Sequence, residues 1–542
     1  MILIVYPPGW VTVYPAQPLG MATLASFLRG QSIPFLQLDL EILAHEVNRG
    51  APDRCIPLDE MLNLRRFSGL LQRPEERASL HRHYASCVES LLAGVDCSKV
   101  GAVAFSIIGE RQFASACILA GYFRARGIPV MAGGCFVRQH IGRIAPLGIF
   151  DLLFAGFDGP AFADACRNIL AGQFVPRSDG TALTIDKDNA VDLLPAPHFS
   201  RSLSACYRRA VQAMYRTRQE HLILQYLLDR GCTQNCSFCT RFHRRYDRRS
   251  ADKIVSEINE LAREHQTGLF SLTTNAVNYA EERDVDLYGR LSQSAASLEW
   301  HAYAVPNLID PHLAGLLAKS GCRILRFGLE SASEKMLGIL KKQFTAEQAA
   351  LSFELAHKRN IWVQVNFMVG CPQESEQDIE DNCRFIERHH SHIDSIRINP
   401  FFLQRDSDIS RHPERYGIRI RPCGGAVSGF DEIGGPDWEH KKQATLRAID
   451  RMYAVTRDHG IGFWGISSHL LLCALHENGS KDEAKSWLTR THPYLCDNIP
   501  PERIQWRIYH AHEPDKCPYG ETWEANYGLI YESGLHWPAA PA

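Results

Sequence analysis

Apolar runs of strand length alternate with helical patterns over the first third of the chain. Each run is bounded by Gly, Pro or Asp, and the five runs are Ile2–Tyr6, Phe35–Leu40, Ala102–Ile107, Val130–Ala132 and Leu152–Ala155. Continuous apolar strands separated by helices are typical of a parallel sheet that helices cover on both faces. The pattern therefore predicts a doubly wound α/β domain with its linker over residues 1–200, interrupted by a charged helical insertion at about 52–98.

The alternation of strand and helix resumes in the middle of the chain. The six candidate strands are 222–229, 269–274, 299–304, 324–329, 362–369 and 395–402. Asp310-Pro311 and the segment that begins at Thr345 are typical helix starts. Six βα units predict a partial (βα)6 barrel over 201–405, with its chemistry at the carboxyl ends of the strands. After Arg405 the alternation ends, and an amphipathic pattern predicts a small, mainly helical region over 406–542.

Size and composition exclude several classes of protein. The chain has 542 residues, a net charge of −2 and 17 cysteines, which allows two or three domains and gives no global electrostatic case for nucleic acid. The N-terminus lacks the basic segment and cleavage site of a signal peptide, and no apolar stretch is long enough to span a membrane. An odd number of cysteines, scattered mostly singly, argues against a disulfide framework and predicts a cytoplasmic protein.

Three cysteines stand close together after the first central strand. Cys232, Cys236 and Cys239 have the spacing C-x3-C-x2-C. A structural zinc site normally has four ligands and a ferredoxin cluster needs a fourth cysteine, but the next cysteines, Cys322 and Cys371, are distant and isolated. Three thiolates at this spacing can hold three irons of a 4Fe-4S cluster and leave the fourth iron open to a small molecule.

This segment resembles the signature of the radical S-adenosylmethionine (SAM) superfamily. That signature has the same spacing after the first barrel strand and an aromatic residue before the last cysteine, here Phe238. The resemblance implies that SAM binds the open iron and that its reductive cleavage gives a 5′-deoxyadenosyl radical. It also implies an electron donor such as flavodoxin or ferredoxin.

The same resemblance implies SAM contacts at other strand ends. Thr274 and Asn275 follow the second central strand, and Glu330 and Ser331 stand in a Gly-x-Glu-Ser segment at the end of the fourth. Gly370 stands in a segment that resembles the loop beside the adenine. Each polar residue could instead cap a helix, and for Ser331, which precedes Glu334, a cap is an equal alternative.

The N-terminal domain resembles the cobalamin-binding domain of the cobalamin-dependent branch of this superfamily. No G-x-G-x-x-G follows its first strand, which argues against a dinucleotide. The resemblance lies in a Pro-Leu-Gly segment and in small residues at the strand ends, and the cobalamin contacts that it implies are Pro18, Leu19, Ser106, Gly133, Gly134, Gly156 and Asp158. The Asp-x-His-x-x-Gly segment that supplies a histidine to cobalt in some cobalamin domains is absent. A domain that binds nothing and only packs is the alternative.

Together the resemblances imply a cobalamin-dependent radical SAM enzyme, a methyltransferase that acts on an unactivated carbon, or on phosphorus, of a small molecule such as a natural product. One alternative has the same cofactors but performs ring closure, ring contraction or oxidation. Another is an RNA-modifying or RNA-binding protein built around the basic segment Arg241–Arg249, and a third is a non-catalytic scaffold. For the basic segment, the absence of a basic domain favours a solvated loop with one or two arginines turned to an anionic ligand group.

Overall fold

The computed structural model describes residues 1–500 except 10–14, 51–55, 57, 78, 157–158, 175–182, 186–189, 241–245, 280, 295, 422–426 and 463–465. Asp158 and the last part of the predicted helical region lie outside the described residues. The chain divides into two compact units, of which the first is Met1–Ala210 and the second begins at Val211. None of the described helices combines the length and the apolar character needed to cross a membrane.

The first unit is built on a six-stranded parallel sheet with the strand order β2-β1-β3-β4-β5-β6. Its strands are β1 (Ile2–Tyr6), β2 (Phe35–Asp39), β3 (Ala102–Ser106), β4 (Val130–Gly133), β5 (Leu152–Phe154) and β6 (Leu183–Ile185). The first five confirm the prediction, whereas β6 was not predicted. The strand order reverses between β1 and β3, which is where open sheets of this kind bind ligands beyond their carboxyl ends.

Helices flank this sheet. Those in the described residues are α1 (Leu19–Gly30), α2 (Leu40–Gly50), α3 (Leu58–Met61), α4 (Leu64–Leu71), α5 (Pro74–Arg77), α6 (Ala85–Leu91), α7 (Glu110–Arg124), α8 (Cys135–Ile144), α9 (Gly159–Leu170) and α10 (Arg201–Tyr215). Strands β1 and β3 are buried along their whole length, as expected for strands covered on both faces. The short helices α3 to α6 add a further layer over α7, where Phe67 packs edge-on against Phe113 with ring centres 6.2 Å apart.

The second unit contains the other parallel sheet, with the order β14-β13-β12-β11-β10-β7. Its strands are β7 (Ile223–Leu227), β10 (Leu269–Thr273), β11 (Glu299–Ala304), β12 (Cys322–Glu330), β13 (Trp362–Val369) and β14 (Ser395–Pro400). Two short strands, β8 (Asp229–Arg230) and β9 (Asp247–Arg248), pair antiparallel on either side of the cysteine segment. Six consecutive parallel strands confirm the predicted six-unit sheet.

Helices connect these strands, and two of them begin at the predicted start signals. The connecting helices are α11 (Ala251–His265), α12 (Glu281–Leu291), α13 (Pro311–Lys319), α14 (Glu334–Ile339), α15 (Ala346–His357) and α16 (Glu376–His389). Asp310 accepts a hydrogen bond from the Leu313 backbone at 2.6 Å, and Thr345 and Gln348 form a full capping box. Phe327 of β12 packs on Phe353 of α15 with ring centres 4.9 Å apart, so this side of the sheet is the helix-covered side.

After β14 the chain forms a small sheet and then helices. The elements are β15 (Leu403–Gln404), α17 (Asp408–Arg411), β16 (Ile418–Arg421), β17 (Val427–Glu432), α18 (Trp438–Asp458), α19 (Ser468–Asn478) and α20 (Lys481–Thr491). The antiparallel sheet β15-β17-β16 was not predicted. Helix α19 lies at the amino ends of β11 and β12, where His476 contacts Glu299 at 2.9 Å and Arg323 donates to the Leu475 carbonyl at 3.2 Å.

Candidate functional site

The three cysteines lie in the loop after β7, at the carboxyl edge of the second sheet. All three are free thiols of intermediate exposure. Ser237, which is buried among them, fixes the loop from both sides: its backbone N–H donates to the Leu340 carbonyl at 3.1 Å and its hydroxyl to the Ile339 carbonyl at 2.9 Å. Its own carbonyl accepts from the Ile409 backbone at 3.1 Å. The backbone is therefore anchored, and the three cysteines are partly exposed.

The donor set of this loop fits an iron–sulfur cluster. Among the described residues, no three side chains of His, Cys, Asp or Glu converge on one point where a single metal ion would bind. A 4Fe-4S cluster does not need such convergence, because each cysteine binds a different iron atom. Three partly exposed cysteines on an anchored loop therefore suit a cluster with one open iron, whereas a closed zinc site would need a fourth ligand.

A buried ion pair lies beside the cysteines. The Lys342 ammonium donates to the Gly328 carbonyl at 3.0 Å, lies 3.3 Å from Glu330 Oε1, and lies 5.4 Å from the centre of the Phe238 ring. Burial alone would lower the pKa of Lys342, but Glu330 and Cys236 together raise it above its usual value. The ammonium therefore stays charged next to the thiols, where it can stabilise a thiolate or a carboxylate of SAM.

The backbone at Glu330 is strained in a way that suits a ligand site. Its φ is +68°, in the left-handed region, and the pairing of β12 with β13 shifts between Gly328 and Glu330. A Cβ on Gly328 would stand 2.7 Å from Glu330 Oε1, so glycine there lets the carboxylate fold back toward Lys342. Such conformations occur most often at binding sites. The structure places Glu330 beside the cysteines, and its contact with SAM stays a prediction.

Thr274 and Asn275 brace the start of the cysteine loop. The Thr274 hydroxyl donates to Asp229 Oδ2 at 2.7 Å, and the Asn275 side chain donates to the Gly231 carbonyl. Burial raises the pKa of Asp229 to about 7, although the Thr274 hydrogen bond opposes this rise. Both predicted residues therefore hold the loop in place from the end of β10, and their contacts with SAM remain untested.

Ser331 and Gly370 both make contacts within the protein. The Ser331 side chain is buried, donates to Asn382 Oδ1 at 3.1 Å and accepts from the Ser333 backbone at 3.2 Å. The N-cap of α14 is instead Ser333, whose hydroxyl accepts from the Met336 backbone at 3.4 Å, so the capping alternative for Ser331 is wrong. Gly370 has φ +87°, and a Cβ there would lie 2.3 Å from Thr445 Oγ1 of α18. Packing against α18 therefore requires the glycine, and the SAM contacts of both residues stay predictions.

Sequence reasoning missed two residues of this site, Lys342 and Tyr279. The Tyr279 hydroxyl lies 2.9 Å from Cys232 Sγ, and its ring packs edge-on against Tyr246 with ring centres 5.3 Å apart. A hydroxyl that donates to a cluster sulfur adjusts the electron affinity of the cluster. Neither residue has a spacing signal: Lys342 is the second of two adjacent lysines, and Tyr279 follows β10 within a polar loop.

The predicted cobalamin contacts that the structure describes lie at the carboxyl edge of the first sheet. Ser106 ends β3, Gly133 ends β4, Gly156 follows β5, and Pro18 and Leu19 stand at the start of α1. A Cβ on Gly20, the residue after Leu19 in α1, would be 3.2 Å from the Ser106 hydroxyl. The structure therefore brings the start of α1 to the end of β3, at the position where the strand order reverses.

The glycines at this edge have two different causes. Gly134 has φ +108°, and a Cβ there would lie 2.2 Å from the Ile107 carbonyl oxygen, while a Cβ on Gly133 would lie 3.3 Å from Phe154. Close approach of a ligand is therefore not needed to explain these two glycines. Gly109 differs, because a Cβ there meets nothing within 4 Å and the adjacent Ile108 is 47% exposed.

This open patch, Ile108 and Gly109 after β3, is what fits a large flat ligand. It offers an exposed apolar side chain and uncovered backbone at the strand-order reversal, and apolar surface with a few polar groups is typical of cofactor sites. Residues 7–18, 107–110, 133–138 and 155–160 of the strand-end loops contain no histidine. If cobalamin binds here, these loops supply no imidazole to cobalt.

The basic segment differs from the expected solvated loop. Residues 241–245 lie outside the described residues, but Arg248 contacts Asp284, and Arg249 contacts Glu257 at 2.6 Å. Their side chains are 4% and 2% exposed, because carboxylates on α11 and α12 compensate their charge. These two arginines are therefore not free to bind RNA phosphates.

Comparison with known proteins agrees with the geometry of the cysteine loop. Residues 226–386, from β7 into α16, match the family model of the radical SAM superfamily. This part of the chain is a radical SAM domain. The resemblance inferred from the cysteine spacing is confirmed, and a 4Fe-4S cluster with SAM is the cofactor set that this superfamily implies.

Curated relatives match part of this chain. An uncharacterized methyltransferase of Pyrococcus horikoshii is 25% identical over 165 residues, which cover 30% of this chain and 36% of the relative. The anaerobic magnesium-protoporphyrin IX monomethyl ester cyclase of Rubrivivax gelatinosus is 28% identical over 156 residues, 28% of each chain. The match thus spans about a third of these relatives' length.

The similarity to solved structures extends beyond the radical SAM domain. The radical SAM methyltransferase TsrM of Kitasatospora setae, with cobalamin and a 4Fe-4S cluster bound, has a TM-score of 0.59 at 14% identity and covers 94% of this chain and 99% of its own. The cobalamin-dependent SAM radical enzyme OxsB, with aqua-cobalamin bound, has a TM-score of 0.58 at 12% identity over 97% and 82%. The predicted α/β architecture is therefore confirmed across nearly the whole chain.

Proposed function

We propose that the protein is a cobalamin-dependent radical SAM methyltransferase that transfers a methyl group to an unactivated carbon, or to phosphorus, of a small-molecule substrate. The observation that carries the proposal is the pairing of two sites on one chain. One is an anchored, three-cysteine loop at the edge of a six-stranded radical SAM sheet, and the other is an open patch at the strand-order reversal of a doubly wound sheet.

The three cysteines would hold the 4Fe-4S cluster, and the open patch with Ser106, Pro18 and Leu19 would contact cobalamin. When bound, the cluster supplies the electron that cleaves SAM, and cobalamin supplies the carrier for the methyl group. Lys342 and Glu330 give a cation and a carboxylate beside the cysteines, which suit the charged carboxylate and amino groups of SAM. The proposed chemistry requires a one-electron donor such as flavodoxin or ferredoxin.

The structural neighbours support the cobalamin part of the proposal. Both TsrM and OxsB are described with cobalamin bound, and the first unit of this chain has the sheet order and strand-end loops that a cobalamin domain would use. The methyltransferase part draws support from the relatives named methyltransferases. A natural product remains the proposed substrate class.

The deciding experiment is to purify the chain with cobalamin present and extract it for a corrinoid spectrum. The holoenzyme, reconstituted with iron and sulfide, should then form S-adenosylhomocysteine from SAM only when corrinoid is bound. Gly109→Trp should remove the corrinoid without unfolding the chain, because a side chain there enters open space. Gly142→Trp, on α8 and also in open space, is the matched control. A chain that retains iron but takes up no corrinoid would contradict the proposal.

A non-methylating activity with the same cofactors is the second candidate, because one relative is named a cyclase. The two candidates differ in the products of SAM. Methylation consumes two SAM molecules and yields S-adenosylhomocysteine, methionine and 5′-deoxyadenosine, and the product gains one methyl group. Formation of 5′-deoxyadenosine alone during turnover, with no gain of methyl mass, would favour ring closure, ring contraction or oxidation.

A further inference from the structure

One face of the central sheet carries several polar side chains, although the strands are otherwise apolar. On β11 to β14, alternate residues are buried against the helices, and the residues between them face the interior of the curved sheet. We call this set the interior face; its members are His301, Tyr303, Arg326, Gln364, Asn366 and Arg397. Tyr303 is 38% exposed, whereas His301 and Gln364 are buried, so the face reaches solvent at Tyr303 and is enclosed at the other two residues.

Strand register makes these residues one continuous surface. Tyr303 pairs with Arg326, Arg326 with Gln364, and Asn366 with Arg397. Register partners in a parallel sheet point to the same side. At the amino ends of the strands, His301 packs on His469 of α19 with ring centres 5.0 Å apart, so this end is covered. The interior face therefore continues only toward the carboxyl edge, which is the edge that holds the cysteine loop.

The interior face leaves polar atoms without partners. Within the described residues, both ring nitrogens of His301, Nε of Arg326, Oε1 of Gln364 and Oδ1 of Asn366 are buried and form no hydrogen bond. Each such atom costs about 1–3 kcal/mol unless water or a ligand satisfies it, and native proteins contain few of them. Several on adjacent strands indicate a surface shaped to bind a polar molecule.

The charge of this surface is positive. Arg326 lies 3.8 Å from the centre of the Tyr303 ring, and Arg397 donates to Asn399 at 3.0 Å. Neither guanidinium forms an ion pair with a carboxylate in the described part of the chain. The carboxylates at the two ends of the interior face, Glu330 and Glu299, are paired with Lys342 and His476. Within the residues that the structure describes, two cations without a carboxylate partner therefore face the same space.

The two arginines can reach a common group. They stand two strands apart and two residues apart in register, which places their Cα atoms roughly 12 Å from each other at the usual strand spacing and rise. Two extended arginine side chains span such a gap, and their planar donors match the oxygens of a carboxylate or phosphate.

We propose that the interior face binds an anionic group of the substrate, a carboxylate, phosphate or phosphonate, between Arg326 and Arg397. This inference rests on the proposed function, because the ligand is taken to be the substrate of the radical SAM domain. His301, Gln364 and Asn366 then hydrogen-bond the polar part of the same molecule. The anion anchors the substrate inside the sheet and leaves its other end toward the cysteine loop.

Calorimetric titration of the reconstituted chain with inorganic phosphate tests the proposal without knowledge of the substrate. Arg326→Gln and Arg397→Gln should each weaken phosphate binding about 10-fold or more, as expected for a lost charged hydrogen bond. The phosphate affinity of Arg326→Lys should lie between those of wild type and Arg326→Gln. Arg388→Gln is the matched control, since Arg388 is exposed on α16 and pairs with Glu347 at 3.1 Å. The thermal midpoints should fall only slightly, because each substitution removes one contact within the sheet, the Tyr303 ring for Arg326 and the Asn399 side chain for Arg397.

The titrations also separate the two sources of anion and the two proposals. The affinity for SAM should be the same in wild type and in all variants. A different result would be that SAM competes with phosphate in wild type, and that Arg326→Gln and Arg397→Gln weaken SAM binding and abolish this competition. The site would then bind the carboxylate of SAM, and the substrate assignment would be wrong. Equal phosphate binding by wild type and both glutamine variants would also overturn it. The measurement needs no corrinoid, so a failure of the cobalamin proposal leaves its outcome unchanged.

Discussion

The two parallel sheets of this chain use their polar groups in opposite ways. At the carboxyl edge of the first sheet, Gln112 donates to the Pro7 carbonyl at 3.1 Å and accepts from the Ile108 backbone at 2.9 Å. Asp39 accepts from the Tyr207 hydroxyl at 2.6 Å. These side chains satisfy the protein's own loops. In the second sheet, polar atoms of the interior face have no partner within the described residues.

This difference fits two kinds of ligand. An edge whose polar groups are satisfied offers mainly backbone and apolar surface, which suits a large, flat cofactor held over a broad area. A surface with unpaired polar groups is instead poised for hydrogen bonds and charge pairing with a small polar molecule, because unpaired groups gain most from a partner. The proposed cobalamin and anion sites follow this division.

The largest effect is expected from removal of a proposed cluster ligand. Cys236→Ala should abolish the iron–sulfur absorption and reduce 5′-deoxyadenosine formation by about 100-fold or more, since the loss of a ligand exceeds the ~10–100-fold cost of losing its supporting contacts. Iron content and product formation check this. Cys97→Ala is the control, because Cys97 has the same intermediate exposure but lies in the first unit. Retained iron in Cys236→Ala would remove the basis for the central site.

A glycine substitution tests whether the first sheet's edge serves its own packing. Gly134→Ala puts a Cβ 2.2 Å from the Ile107 carbonyl at a φ of +108°, so stability should fall by about 3 kcal/mol or more whether or not corrinoid is present. Gly109→Ala, whose Cβ meets nothing within 4 Å, should change stability by less than about 0.5 kcal/mol. Thermal unfolding of the corrinoid-free chain measures both. Equal stabilities would show that the loop relaxes easily and that Gly134 is needed for a ligand instead.

Substitutions of two adjacent lysines test the role of the positive charge beside the cysteines. Lys342→Gln leaves Glu330 without its partner in a site where the two side chains are 9% and 15% exposed, so we expect a loss of about 2 kcal/mol and weaker SAM binding. Lys341→Gln should cost less than about 1 kcal/mol, because the Lys341–Asp408 pair is partly exposed, with Lys341 at 46%. Thermal midpoints and SAM titrations compare the variants. Unchanged SAM affinity in a folded Lys342→Gln would separate the ion pair from the binding site.

The sequence predicts most of the strands because long apolar runs have few other folded solutions. It misses β6 and β15 because Leu183–Ile185 and Leu403–Gln404 are too short to show a period. It also misses β17, where Val427-Ser-Gly-Phe-Asp-Glu432 is not an apolar run. The cysteine loop was found from local spacing. Its partners Lys342 and Tyr279 were not, because only the folded chain brings them near the cysteines.

The interior face left a signal that could have been used. Val363-Gln-Val-Asn-Phe367 alternates apolar and polar residues inside an otherwise apolar strand, and this period of two indicates that one face is not in the core. A strand buried on both faces has no reason to carry Gln and Asn at alternate positions. The sequence alone could not show that neighbouring strands align Arg326 and Gln364, since register is set by the packed sheet.

A pH effect separates a structural carboxylate of the first sheet from the unpaired polar groups of the second. Burial raises the pKa of Asp39 to about 6, and the Tyr207 hydrogen bond only partly opposes this. As pH rises, Asp39 therefore ionises at a lower pH in the unfolded chain than in the folded chain. The stability that Asp39 provides is complete below about pH 4 and is lost between about pH 4 and 6. The loss should be on the order of 2 kcal/mol. Asp39→Asn keeps a hydrogen-bonding side chain and should remove this pH dependence, whereas the exposed Asp164→Asn should retain it. If the unfolding midpoints of Asp39→Asn still fall between pH 4 and 6, another group is responsible for the pH dependence. The hydrogen bonds of Asp39 would then not account for the stability of this edge of the first sheet.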